Sequence, residues 1–136
     1  MDRSEALELA RRQRPHVLRF LSWLRGHALI SSYANLSSVR LSGVDLSGVD
    51  LHASNLLGAL LDGADLRAAN LRRCNLRRAD LTGANLRGTD LTASNLREAK
   101  LSGVDFTGAK LRRASLRGAT AAAEVWSGNS KGALER

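Results

Sequence analysis

Cysteine, proline and aromatic side chains are scarce in this chain of 136 residues, which has one Cys, one Pro and five aromatic residues. A single cysteine excludes an internal disulfide framework. No apolar run approaches the roughly 18 residues that span a bilayer, so no transmembrane segment is expected. The N-terminus carries Asp2, Glu5 and Glu8 before any apolar stretch, which argues against a secretory signal peptide. We therefore predict a cytoplasmic protein.

Basic residues outnumber acidic ones by 21 to 13, and the formal net charge is +8. The excess is spread along the chain, with +3 in residues 1–30, +4 in residues 33–126 and +1 in the last ten residues. A basic chain favours an anionic partner, either a nucleic acid or an acidic protein surface. Because aromatic residues are nearly absent from the middle of the chain, stacking on single-stranded bases is not expected.

A large apolar residue occupies every fifth position from residue 36 to residue 116. All seventeen positions are filled, sixteen by leucine and one by phenylalanine: Leu36, Leu41, Leu46, Leu51, Leu56, Leu61, Leu66, Leu71, Leu76, Leu81, Leu86, Leu91, Leu96, Leu101, Phe106, Leu111 and Leu116. On an α-helix, positions five apart are rotated by roughly 140°, which would scatter these side chains around the helix. In a flat strand, the odd spacing would send successive leucines to opposite faces.

One arrangement buries all seventeen side chains: the backbone turns a corner every five residues, and each large side chain points inward. If each corner is about a right angle, four pentapeptides close one coil of about twenty residues, and the coils stack at roughly 4.8 Å. The pattern therefore predicts an all-β solenoid of four to five coils, in which each coil contacts only its neighbours. The residue two places before each leucine position is small throughout, as a narrow interior requires.

A period of twenty is also visible directly in the sequence. Two residue types recur at this spacing: Asn35, Asn55, Asn75 and Asn95, and Gly43, Gly63, Gly83 and Gly103. Stacked asparagines can form hydrogen bonds along their column. Stacked glycines indicate a face where the backbone turns tightly or where another group approaches closely.

The pentapeptides resemble those of a known family. They combine a small residue, Asp or Asn, Leu or Phe, and two mostly polar or small residues, as in Ala64-Asp65-Leu66-Arg67-Ala68, Ala84-Asn85-Leu86-Arg87-Gly88 and Val104-Asp105-Phe106-Thr107-Gly108. This pattern is similar to that of the pentapeptide-repeat family over about residues 33–126. The resemblance implies a right-handed quadrilateral β-helix whose small residue and Leu or Phe point inward. Most members of this family have no assigned activity and are treated as binding scaffolds. The resemblance therefore also implies a binding scaffold.

The segments on either side of the clear repeat are expected to differ from it. We predict a short N-terminal α-helical cap over residues 1–30, the β-helix over residues 31–126 and a flexible tail over residues 127–136. Three roles are open to the amphipathic N-terminal segment: it caps the end of the coil, docks a partner or lies at a membrane interface. Trp126 falls on a leucine position, where it either closes the last coil or anchors a homodimer through the C-terminal end.

Arginine dominates the outward positions of the C-terminal half. With the leucine positions arranged in rows of twenty, three sides of this half are expected to be basic and the fourth nearly neutral. The candidate binding residues are the arginines of the three basic sides: Arg67, Arg72, Arg73, Arg77, Arg78, Arg87, Arg97, Arg112, Arg113 and Arg117. They either keep the surface solvated, partly shielded by a column of aspartates, or contact an anionic partner.

No catalytic site is apparent in the sequence. His16, His27 and His52 are isolated and lack the spacing of metal ligands. Cys74 occupies an inward small-residue position, which is typical of a packed core residue rather than a nucleophile. The acidic residues follow the repeat, which is typical of ladder positions rather than of a general acid and base pair. We therefore expect no enzyme activity, no cofactor and no bound metal.

Three functions remain open. The leading one is a non-catalytic interaction scaffold that presents a rigid basic β-helical surface to an acidic protein or another polyanion. The second is a topoisomerase (gyrase)-interacting factor for antibiotic resistance or self-protection. The family resemblance implies it, but members of that kind mimic DNA with acidic surfaces, and the repeat region here is net positive. The third is non-specific nucleic-acid binding through phosphates, since no recognition helix or zinc site is apparent.

Overall fold

The computed structural model describes residues 33–120, which form a β-solenoid. Parallel β-bridges join residues twenty apart, from Asn35–Asn55 at one end to Lys100–Thr120 at the other. Each coil therefore contains four pentapeptides, and the described range comprises a little more than four coils. The predicted helical cap, the position of Trp126 and the predicted C-terminal tail lie outside the described residues.

Regular strands are reduced to single bridge residues in this solenoid. One bridge residue occurs in each pentapeptide, at every fifth position from 35 to 120, and no helix is present in that part of the chain. Accordingly, the described residues contain no helix with the length and apolar character needed to cross a membrane.

Backbone hydrogen bonds connect each pentapeptide to the coils on both sides. The amide of Leu56 donates to the carbonyl of Asn75 in the next coil at 2.7 Å. The amide of Asn55 donates to the carbonyl of Ala34 in the preceding coil at 2.8 Å. The equivalent bonds recur at every pentapeptide from one end of the described range to the other. The coils are thus fixed in register by the backbone itself.

A type II turn forms each corner. The amide of Ala59 donates to the carbonyl of Leu56 at 3.0 Å, and Gly58, the third residue of the turn, has a φ of +64°. A positive φ recurs at the second residue after each of the seventeen leucine positions, at nine glycines and eight other residues. A type II turn requires this left-handed conformation at its third residue, and glycine adopts it without the steric cost that a Cβ incurs.

An Asp or Asn directly before the leucine satisfies the remaining amide in most of the turns. Its Oδ1 accepts a hydrogen bond from the amide two residues later, as Asn55 does from Leu57 at 3.1 Å and Asp80 from Thr82 at 3.0 Å. All twelve Asp and Asn residues at this position in the described coils make the bond. Because Oδ1 is engaged within its own turn, hydrogen bonding along the asparagine column is confined to Asn75 Nδ2, which donates to Asn55 Oδ1 at 3.3 Å.

The interior is a stack of leucines lined by small residues. The seventeen large side chains from Leu36 to Leu116 are all buried, with exposures of 0 to 9%. Small polar residues in the interior find backbone acceptors, as Thr89 Oγ1 donates to the carbonyl of Leu66 at 2.6 Å. The core therefore holds every side chain at a leucine position away from water, and the variable residues are left at the corners.

Four sides and four corners define the surface. We call one side the asparagine side, because its bridge positions are Asn35, Asn55, Asn75, Asn95 and Ser115. The leading corner before it comprises residues 52–53, 72–73, 92–93 and 112–113, and the trailing corner after it comprises residues 37–38, 57–58, 77–78, 97–98 and 117–118. The glycine corner comprises residues 42–43, 62–63, 82–83 and 102–103, and the fourth corner comprises residues 47–48, 67–68, 87–88 and 107–108. Successive positions at one corner are one coil apart, roughly 4.8 Å.

Candidate anion-binding surface

Arginines concentrate on the two corners that flank the asparagine side. The leading corner carries Arg72, Arg73, Arg112 and Arg113, and the trailing corner carries Arg77, Arg78, Arg97 and Arg117. These eight arginines are two thirds of the twelve basic residues between residues 67 and 120. The bridge positions of the asparagine side itself are neutral, so nothing acidic lies between the two rows.

Three of these arginines have a left-handed backbone conformation, which is unfavourable for any residue that has a Cβ atom. Arg73, Arg78 and Arg113 have φ values of 56°, 59° and 61°, and the left-handed region costs a residue with a Cβ about 1 kcal/mol or more. At the glycine corner, by contrast, all four equivalent positions are glycine. The charged residues with positive φ in the described coils, Glu98 included, all lie at the leading or trailing corner. Left-handed strain at charged residues is therefore limited to these two corners, whereas at the fourth corner the uncharged Ala68 has a φ of 55°.

Glu98 holds two of the arginines at the trailing corner. Arg78 Nε lies 2.7 Å from Glu98 Oε2, and Arg77 Nη2 lies 2.8 Å from Glu98 Oε1. The hydrogen bonds from Arg78 and then Arg77 lower the pKa of Glu98 to about 2. At the leading corner, Arg72 Nη1 lies 3.6 Å from Asp90 Oδ2. Three of the eight arginines are thus partly neutralised by acidic neighbours.

The other five arginines on these corners make no ion pair with any residue between 33 and 120: Arg73, Arg97, Arg112, Arg113 and Arg117. Within the same range, the other basic side chains without an ion pair are Arg40 and Lys110, at bridge positions of other sides. Unpaired guanidinium groups keep all of their donors available for a ligand. The uncompensated positive charge is therefore concentrated around the asparagine side.

The asparagine column adds hydrogen-bond donors to the same surface. The Oδ1 atoms of Asn75 and Asn95 accept the amides of Arg77 and Arg97 at 3.2 and 3.1 Å, which leaves the NH₂ groups as donors, although one N–H of Asn75 is already bonded to Asn55. Amide donors between two rows of arginine suit ligands that only accept hydrogen bonds, such as carboxylates, phosphates and sulfates.

The fourth corner provides a contrast, because its arginines are paired. Arg67 Nη2 lies 2.6 Å from Asp65 Oδ2, and hydrogen bonding by Arg67 lowers the pKa of Asp65. Arg87 Nη1 lies 3.5 Å from Asp105 Oδ2. The aspartates at the bridge positions of the adjoining side therefore compensate the charge of these two arginines.

Residues 32–67, 59–97 and 89–121 match the family model for pentapeptide repeats (8 copies), in agreement with the twenty-residue coils. The chain belongs to the pentapeptide-repeat family. Its fold is accordingly the right-handed quadrilateral β-helix of that family, as the sequence resemblance implies.

Several solved structures resemble this pentapeptide-repeat chain. HetL, a pentapeptide-repeat protein involved in heterocyst differentiation regulation in the cyanobacterium Nostoc sp. strain PCC 7120, is 42% identical, with a TM-score of 0.60 over 65% of this chain and 39% of HetL. Rfr23 of the cyanobacterium Cyanothece 51142 is 37% identical, with a TM-score of 0.54 over 68% of this chain and 59% of Rfr23. The Nostoc protein alr5209 is 28% identical, with a TM-score of 0.60 over 74% of this chain and 94% of alr5209. The chain thus spans less than two thirds of the length of the first two relatives, and no curated protein matches it significantly.

The β-helix divides the ten arginines that the sequence predicts for binding into two groups. Eight of them flank the asparagine side, whereas Arg67 and Arg87 are separated from these at the fourth corner. Of the three basic sides that the sequence predicts, the one with Arg67 and Arg87 is compensated by aspartate, and uncompensated arginines are left at the leading and trailing corners. Glu98 also belongs to the surface, although the repeat pattern alone does not single it out. Its position twenty residues after Arg78 is the signal that predicts their contact.

Two side chains with catalytic potential are held by hydrogen bonds, Cys74 in the core and His52 within a turn. Cys74 Sγ donates to the carbonyl of Leu51 at 2.9 Å, and burial raises the pKa of its thiol to about 12, which keeps it protonated. His52 Nδ1 lies 2.9 Å from Asp50 Oδ1 within one turn. Nowhere between residues 33 and 120 do three His, Cys, Asp or Glu side chains come together as potential ligands of one metal ion.

Proposed function

We propose that this pentapeptide-repeat protein is a non-catalytic interaction scaffold that binds an acidic protein, or another polyanion, through the asparagine side. The observation that carries the proposal is the position of Arg73, Arg97, Arg112, Arg113 and Arg117, which flank this one side without ion pairs to described residues. Pentapeptide-repeat proteins are generally interaction proteins rather than enzymes, which agrees with a binding role.

The backbone of the coils supports this role because it holds the arginine rows at fixed spacing. Each arginine lies in a turn that is hydrogen-bonded to the preceding coil, as the carbonyl of Arg77 accepts from the Gly58 amide at 2.9 Å. A rigid array loses little backbone entropy when a partner binds, which favours affinity. The charge of the array also accelerates encounter with an acidic partner.

The test is the salt dependence of binding to heparin and to polyglutamate. The double variant Arg97→Glu with Arg117→Glu reverses two unpaired charges at the trailing corner and should weaken binding at low salt by about tenfold or more. The matched control is Arg67→Glu with Arg87→Glu, which changes the net charge equally at the fourth corner and should weaken binding much less. Equal losses in the two variants, or no binding by the unaltered protein at low salt, would refute the proposal.

The alternatives are tested alongside. Binding of duplex DNA with a steep salt dependence, and with no binding of polyglutamate, would favour the non-specific nucleic-acid role. A supercoiling assay with gyrase and a quinolone tests the topoisomerase-interacting role directly. Cytoplasmic localisation and a homodimer through the C-terminal end stay predictions from the sequence.

A further inference from the structure

The asparagine side changes character along the axis of the solenoid. Between residues 33 and 66, Arg40 is the single basic side chain beside four acidic ones, whereas residues 67–120 contain twelve basic and four acidic side chains. The first residues of the trailing corner, taken coil by coil, show the same change: Ser37, Leu57, Arg77, Arg97 and Arg117. A partner that follows this corner therefore meets an apolar side chain before it meets the arginines.

Two leucines are exposed near the start of the arginine row, Leu57 at the trailing corner itself and Leu60 at a bridge position of the next side. Their exposures are 38% and 39%, and they are the large aliphatic side chains that the coils from residue 33 to residue 120 expose. Gly58 N–H donates to the carbonyl of Arg77 at 2.9 Å, which places Arg77 one coil beyond Leu57 at the same corner. Leu57 and the arginines of the trailing corner thus occupy successive coils of one corner, and one ligand can contact both.

We infer that the ligand of the asparagine side is an acidic polypeptide segment with an apolar residue at one end of its acidic cluster. This inference rests on the function proposed above and specifies the partner. The segment lies along the solenoid axis, with its apolar residue on Leu57 and its carboxylates on Arg97, Arg117 and the arginines of the leading corner. From Leu57 to Arg117 is three coils, about 14 Å, which about four to five extended residues span.

A polypeptide complements this surface better than a nucleic acid does. Carboxylates accept bidentate hydrogen bonds from arginine, and an aliphatic side chain next to them gains free energy by covering Leu57. The backbone of a duplex offers phosphates at regular intervals but no aliphatic group for Leu57. Stacking of bases would require a row of exposed aromatic side chains. In the described coils Phe106 is buried and Tyr33 is the exposed aromatic residue.

The experiment measures fluorescence anisotropy with two labelled peptides of about eight residues that share the same cluster of glutamates. One peptide has leucine at the end of the cluster and the other has serine there. The leucine peptide should bind the unaltered protein about fivefold to tenfold more tightly than the serine peptide. Leu57→Ser should remove this preference without changing the affinity for the serine peptide, and Leu57→Met should retain it. Circular dichroism verifies that both variants fold, as expected for a residue outside the core.

The inference is overturned if the unaltered protein binds the two peptides equally, or if Leu57→Ser preserves the preference. A short DNA duplex that binds more tightly than both peptides at the same salt concentration would also overturn it, and would assign the arginine rows to nucleic acid. These outcomes differ from failure of the proposed function, in which neither the peptides nor heparin would respond to reversal of Arg97 and Arg117.

Discussion

Arg78 and Glu98 occupy the same position of the trailing corner in successive coils, and Arg78 Nε donates a hydrogen bond to Glu98 Oε2 at 2.7 Å. Both residues have a left-handed backbone, with φ values of 59° and 60°. Glu98 also accepts a hydrogen bond from Arg77 Nη2 at 2.8 Å. One carboxylate thus offsets two arginines in the middle of the row, so Glu98 limits the positive charge that the asparagine side presents to a ligand.

Replacing Glu98 with glutamine should strengthen polyanion binding. Glutamine keeps a hydrogen-bond acceptor but removes the charge, which leaves the full charge of Arg77 and Arg78 for the ligand, and we expect heparin affinity to rise about threefold or more. Asp105→Asn is the matched control, since it removes an equal charge beside Arg87 at the fourth corner, away from the asparagine side. The expectation is wrong if the two variants change the heparin affinity by the same factor.

Stability should fall with acid. Hydrogen bonds from Arg78 and Arg77 hold the pKa of Glu98 at about 2 against an ordinary 4.5, and hydrogen bonds from Thr82 and Thr107 lower the pKa values of Asp80 and Asp105. A pKa that is lower in the folded state stabilises the fold fully above the unfolded value and progressively less below it. The midpoint of urea unfolding should therefore be flat above about pH 5 and decrease between about pH 4.5 and 2.

The acid effect can be assigned by mutation. Glu98→Gln removes one of the groups responsible, so its urea midpoint should decrease less between these pH values than that of the unaltered protein. A midpoint that rises on acidification, or a profile that Glu98→Gln leaves unchanged, would contradict the assignment.

Arg113→Gly should weaken binding without lowering the stability. Arg113 has a φ of 61°, and glycine relieves a left-handed strain of about 1 kcal/mol, partly offset by the greater entropy of the unfolded chain. We expect a free energy of unfolding that is unchanged or higher by up to about 1 kcal/mol, together with weaker heparin binding. Arg112→Gly is the control, because it removes the same charge one residue earlier, where φ is not positive. It should weaken binding and also lower the stability.

Asn95 contributes separately to the turn and to the surface. Its Oδ1 accepts the amide of Arg97 at 3.1 Å, so Asn95→Ala should lower the free energy of unfolding by about 1 kcal/mol, as the loss of a side-chain cap does. Asn95→Asp keeps the acceptor and should leave stability nearly unchanged, but its charge should weaken heparin binding severalfold. Asn85→Asp, on a side that already carries Asp65 and Asp105, should bind heparin almost as the unaltered protein does. Equal binding losses from the two aspartates would contradict a specific role for the asparagine side.

The spacing of the leucines predicts most of the fold. A large side chain at every fifth position can be buried each time only if the backbone turns a corner in each pentapeptide. The glycines two residues after the leucines, such as Gly58 and Gly83, indicate the left-handed turns. The role of the asparagines was harder to predict, since stacking along a column and closure of the turn both suit an amide. The asparagine oxygen bonds within its own turn rather than along the column, because the backbone amide two residues later, as at Leu57, has no backbone acceptor.

The candidate site was only partly predictable, because charge compensation depends on neighbours in three dimensions. The contact of Arg67 with Asp65 follows from their separation of two residues within one turn. The contacts of Arg77 and Arg78 with Glu98 require the register of twenty, which brings distant residues to one corner. Side-chain conformation decides which of several aspartates an arginine reaches, and the repeat pattern carries no information about it.

The constant offset between bonded residues makes the coil a unit that can be copied. Every inter-coil backbone bond in the described range joins residues 19 or 21 apart. A duplication of the segment from Leu76 to Asn95 would therefore preserve the pairing of all other coils while lengthening the molecule by roughly 4.8 Å. It would also repeat Arg77 and Arg78 at the same corner. The number of ligand charges that the protein accommodates can accordingly be adjusted in whole coils, by gene duplication or by design, without a new fold.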